Sequence, residues 1–110
     1  SSDQLKEQIE EQLIIQELQL QRGEEFGIRI SDSELNQTFI QIAANNGVSL
    51  EQFITNYESS GQSYEKLREE IRRDMIIQRV QRGMVGGSIN ITAQEIEGFL
   101  ATEEDGGLVA

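Results

Sequence analysis

The chain has 110 residues, with 20 acidic against 9 basic side chains for a formal charge of −11, and it contains neither Cys nor His. Such a length makes one domain able to remove roughly two-thirds of its unfolded surface from water, and the acidic balance argues against nucleic acid as a partner. The missing residue types exclude disulfides, Cys-type zinc sites and Ser-His or Cys-His pairs, leaving only carboxylates or Lys as general bases, and no run reaches the ~20 apolar residues of a membrane span, so no membrane insertion is expected.

Ser2 or Asp3 is placed to cap a first helix running to Phe26, with Gly27 as its left-handed stop. Leu5, Ile9, Leu13 and Leu20 form its main stripe, interrupted at Gln16, while Ile14, Ile15 and Leu18 spread over the opposite side, so the helix has two apolar faces. Ile28-Arg29-Ile30 alternates over too few residues to be more than a short strand. The run from Ser31 to Glu34 reads as a capping box opening a second helix, with Leu35, Phe39, Ile42 and Ala43 on its buried face and Asn45-Asn46-Gly47 at its end.

Ser49 to Gln52 repeats the box and opens a short helix with Leu50, Phe53, Ile54 and Tyr57 on one side, ended by Ser59-Ser60-Gly61. Ser63 then caps a long helix that stops at Gly86-Gly87. Tyr64, Leu67, Ile71, Met75 and Val85 make one stripe on it, and Ile76, Ile77, Val80 and Met84 a second, so this helix needs cover on two sides. Glu69 with Arg73 and Lys66 with Glu70 are spaced for i,i+4 pairing. Six of the nine basic residues lie here, but four acids dilute them and no aromatic interleaving prepares base stacking.

Ile89-Asn90-Ile91 is a second short alternating segment, and Thr92 to Glu95 a further capping box before a final helix carrying Ile96, Phe99 and Leu100. Both alternating segments spell I-x-I, a hydroxyl cap, two residues, Glu and an aliphatic. Any short strand entering a capped helix reads this way; alternatively, the two pair as one small ladder tying the first half of the chain to the last. The stretch from Thr102 to Gly107 is acidic and Gly-rich and reads as a linker or frayed end, which sets domain bounds of 1–101 and a tail of 102–110. The expected fold is mainly α: five helices, two of them long and central, with a small two-stranded β ladder.

No phosphate loop is present, since Gly83, Gly86 and Gly87 follow a helix instead of opening one, and Glu103-Glu104-Asp105 lacks the alternating ligands of a calcium loop, so no metal and no cofactor are expected. What stands out is apolar surface. Ile14, Ile15, Leu18, Ile76, Ile77, Val80, Met84 and Phe99 exceed what one buried stripe per helix requires. They either close a central helix pair, or accept unfolded chains, with Met75 and Met84 offering adaptable contacts, or bury against a second copy as a homodimer.

Three pieces, GIRISDSELNQ (Gly27 to Gln37), IAANNGVSLEQF (Ile42 to Phe53) and YEKLREEIRRDMIIQRV (Tyr64 to Val80), occur in the order and spacing of a known family. From Leu5 to Leu100 the chain resembles the N-terminal chaperone domain of SurA, the periplasmic survival protein of Gram-negative bacteria. That resemblance implies a periplasmic chaperone module that binds unfolded outer-membrane proteins and assists their assembly. Family members also carry parvulin-type peptidyl-prolyl isomerase domains after this region, so the resemblance implies that this chain holds clients and does not isomerise them. The family's domain begins with a further strand-and-helix segment before the position of Leu5 and is completed by a helix from the far C-terminus, and neither has a counterpart here.

Overall fold

The computed structural model describes residues 1–106. Five helices follow one another: α1 (Ser2–Glu25), α2 (Asp32–Asn45), α3 (Leu50–Ser59), α4 (Tyr64–Val85) and α5 (Ala93–Gly106). Their starts are set by hydroxyl caps. Ser31, Ser49, Ser63 and Thr92 each accept a hydrogen bond from the amide three residues on, at 3.0 to 3.2 Å, satisfying one of the donors that a helix start leaves without a partner. α1 is capped one residue earlier than expected, by Ser1, which closes a full capping box with Gln4. Their ends follow from glycine: Gly27, Gly47 and Gly87 take positive φ, and the residue after each returns its amide to the carbonyl five back (Ile28 to Gly23, Val48 to Ala43, Ser88 to Gly83).

The chain forms two compact units, one of Ser1–Ile28 together with the chain from Ile77 onward, the other of Arg29–Ile76. In the second unit Leu35, Phe39 and Ala43 are fully buried along one face of α2, as the spacing requires. Phe39 meets Tyr64 edge-on with ring centroids 5.1 Å apart and Phe53 at 6.4 Å. Ile42, Leu50, Phe53, Ile54, Tyr57, Leu67, Ile71, Met75 and Ile76 pack around this centre, which therefore takes the first α4 stripe as far as Met75. Val85, expected on that stripe, is 92% exposed; it sits about 200° round the helix from Gly83, the residue against which Ile89 packs.

In the first unit the buried side chains are Leu18, Gln19 and Leu20 of α1, Ile77 and Val80 of α4, and Ile89. α1 packs on α5.

The expected β ladder is absent: no strand occurs among the described residues. The backbone groups that would have built it are already engaged. The Ile28 and Ile89 amides donate to the ends of α1 and α4, at Gly23 and Gly83. The carbonyls of Ile30 and Asn90 accept from Arg72 and Arg22. An I-x-I segment has few groups to spare, and helix ends with two arginines take them first. α5 continues to Gly106, so the stretch expected to be a tail from Thr102 is helical as far as it is described; the rest of that tail, 107–110, lies outside the described residues.

Candidate functional site

Of the eight apolar residues singled out above, Leu18, Ile77 and Val80 are buried within a single chain, Val80 completely, while Ile14, Ile15, Ile76, Met84 and Phe99 are half-buried. All but Ile76 belong to the first unit. Three of the eight are thus covered inside the molecule, and the other five keep part of their surface accessible.

The bare apolar face is the other one. Leu5, Ile9 and Leu13 are 58%, 50% and 59% exposed. Spaced i, i+4 and i+8, they line one side of the first half of α1. The same stripe is covered farther along, where Leu20 and Gly23 are buried. Covered and uncovered parts of one stripe differ only in what packs on them, which periodicity does not encode.

Sequence reasoning also missed the polar residues that organise both units. Gln19 is buried beside the stripe and accepts from Gln81 at 3.3 Å while its amide donates to the Met84 sulfur at 3.9 Å. Arg22 donates to the Asn90 carbonyl and pairs with Glu95, which itself closes the α5 capping box; its Nε lies 3.2 Å from Glu25 but misaligned for a hydrogen bond. In the other unit Arg72 donates to the Ile30 carbonyl and, at 2.7 Å, to Asp32. That hydrogen bond and the Arg72 charge, with a smaller contribution from Arg68, hold the Asp32 carboxyl below the usual aspartate range. Arg68 lies over the Phe39 and Tyr64 rings, 5.9 and 5.8 Å from their centroids, and donates to Asn36 at 2.8 Å. Each I-x-I segment is therefore fastened by an arginine from a long helix that also grips a carboxylate in the first turn of the helix that follows. The only sequence sign was the parallel spelling of the two segments.

These groups fasten structure; they assemble no nucleophile with a base. No helix among the described residues is long and apolar enough to cross a membrane.

A family model described as the SurA N-terminal domain matches residues 1–81. Proteins named Chaperone SurA are similar over nearly the whole chain. The one from Pseudomonas aeruginosa is 48% identical over 99 residues, which cover 90% of this chain and 24% of the relative. Those from Pseudomonas syringae pv. tomato and Hahella chejuensis are 46% and 43% identical, over 91% and 87% of this chain and 23% and 22% of their own length. The chain thus spans about a quarter of the curated relatives it matches.

Proposed function

The chain belongs to the SurA N-terminal domain family, and from that premise we propose that it is a chaperone module that binds unfolded outer-membrane polypeptides in the periplasm and assists their assembly. What it matches is the N-terminal domain and not a parvulin domain, so it is not itself an isomerase. The observation that carries the reading is the bare stripe of Leu5, Ile9 and Leu13. Patches of this kind mark surfaces made for contact, and within the same unit the accessible parts of Ile14, Ile15, Met84 and Phe99 add to the apolar area a client can use. Each stripe residue retains roughly half its exposure, so covering it contributes about 1 kcal/mol. Three such contacts give weak, reversible binding, which suits a holder that must release its client.

The test is suppression of aggregation of a denatured outer-membrane porin. The wild-type chain at severalfold excess should delay light scattering, and a variant with Leu5, Ile9 and Leu13 all replaced by Ser should not. Equal scattering with the wild-type chain and with a folded globular control rejects the reading.

The same stripe favours a second reading, a homodimer joined along α1. Two copies would bring six half-exposed side chains, or about 6 kcal/mol, against an association cost of ~4–15 kcal/mol. Any such dimer is weak, and sedimentation equilibrium across a wide concentration range distinguishes it from the monomer.

A further inference from the structure

Within the unit Arg29–Ile76 lies an open cavity of about 380 Å³, lined by Asn46, Val48, Phe53, Asn56, Tyr57 and Ser60. The Phe53 and Tyr57 rings, one helical turn apart on α3, are nearly parallel, at 13° with centroids 6.0 Å apart. No lining residue is ionisable at neutral pH, although the chain as a whole carries −11. A charged ligand finds no counter-charge there. Asn46 and Asn56 each keep one polar atom for a ligand. Asn46 spends its amide on the Ile42 carbonyl at 2.8 Å, which leaves its Oδ1 as an acceptor. Asn56 spends its Oδ1 on Gln52 at 2.7 Å, which leaves its Nδ2 as a donor. Ser60 is engaged on both sides, donating to the Tyr57 carbonyl at 2.6 Å and accepting from Gln62 at 3.0 Å.

The Asn46 acceptor and the Asn56 donor, with the Tyr57 hydroxyl able to serve as either, stand beside an aromatic surface, the complement of a peptide unit with an apolar side chain. We propose that this cavity binds the main chain of an extended, uncharged polypeptide segment. The segment's N–H donates to Asn46 Oδ1, its C=O accepts from Asn56 Nδ2, and an apolar side chain lies against Phe53 and Tyr57. The proposal deepens the chaperone reading and rests on it. In a folded protein the main-chain groups are already paired within helices and sheets, so such a site distinguishes unfolded from folded chains by their free main-chain groups and asks of the sequence only an uncharged segment with an apolar side chain.

The test uses the whole chain and a seven-residue peptide of alternating Val and Thr, acetylated and amidated so that it carries no charge. In ¹⁵N-resolved titration the Asn46 and Asn56 side-chain amides should shift and saturate together. N-methylation of the peptide's central amides, which removes the donors and requires no protein variant, should weaken binding about fivefold, the scale of one net hydrogen bond. Asn56→Asp keeps the acceptor for Gln52 but lacks the donor, and should lose a similar factor. Equal affinity for the two peptides, or shifts confined to residues outside the cavity, overturns the proposal. If Asn56→Asp binds the parent peptide as tightly as the wild-type chain, the donor role is overturned, while porin protection by the wild-type chain would leave the chaperone reading standing. If the wild-type chain protects no porin but the Asn amides still respond as described, that reading fails and the cavity's preference for free main chain stands.

Discussion

Gly83 shows how much one missing Cβ decides. A Cβ built there would lie 2.6 Å from Ile89 Cδ1 and 2.9 Å from its Cγ1, and Ile89 is one of the buried residues of its unit. The Gly83 carbonyl also accepts from the Ser88 and Ile89 amides, so the residue fixes both the end of α4 and the seat of the side chain that follows. Two effects oppose each other when Ala replaces it. Helix propensity favours Ala by about 1 kcal/mol, while crowding a packed side chain costs about 1–3 kcal/mol. Because the contact is short and involves two carbons of the side chain, crowding should win: Gly83→Ala is expected to lower stability by about 1 kcal/mol. In an Ile89→Ala background the obstruction is gone, and the same substitution should become neutral or stabilising. Urea unfolding of the four proteins of this cycle checks the reversal of sign, and a Gly83→Ala effect that is the same in both backgrounds would remove the role given to Ile89.

At the scale of elements, what was legible in the sequence was local. A serine or threonine cap lies three residues from the amide it satisfies, and a glycine stop depends on its own φ, so four of the five helix starts and the stops at Gly27, Gly47 and Gly87 could be read directly. The buried face of α2 followed from spacing alone. What could not be read were partners distant along the chain: Arg22 reaches a carbonyl 68 residues away and Arg72 one 42 residues away. Without them two I-x-I segments look like strands short of neighbours; with them their backbone groups are engaged. Periodicity likewise shows that a helix has two faces and not which of them is covered, so the bare stripe of Leu5, Ile9 and Leu13 could not be singled out in the sequence. The Arg22 contacts also predict how α5 is held. Arg22→Gln removes the charge that Glu95 pairs with and weakens the hold on the Asn90 carbonyl. Hydrogen bonds to charged groups contribute about 1.5–3 kcal/mol, and the partial exposure of Glu95, 38%, places this one at the low end. Amide exchange over α5 should accelerate roughly tenfold, while the amides of α2 keep their protection. Faster exchange in α2 by the same factor would mean that Arg22 supports the whole molecule and not one helix.

Over the whole molecule the unequal cover of α1 links stability to the proposed activity. Its second half carries Leu18, Gln19, Leu20 and Gly23, all buried, whereas every residue from Ser1 to Ile9 is exposed. An isolated helix shorter than ~12–15 residues is marginal in water, and the uncovered stretch has only the Ser1 and Gln4 capping box and continuity with the packed half to hold it. Its amides should therefore exchange within a small factor of unprotected rates, while those around Leu35, Phe39 and Ala43 exchange only on global opening. A client that covers Leu5, Ile9 and Leu13 supplies the missing packing, so binding and ordering of the first half of α1 become one equilibrium. Mass-resolved hydrogen exchange with and without a denatured porin fragment measures this. Protection should rise over residues 2–13 on binding and stay unchanged over α2, and Ile9→Ser should remove most of the gain by breaking the stripe at its centre. Slow exchange over residues 2–13 in the free chain would show that the stripe already has a partner, and equal protection in wild type and Ile9→Ser would move client contact off α1 altogether.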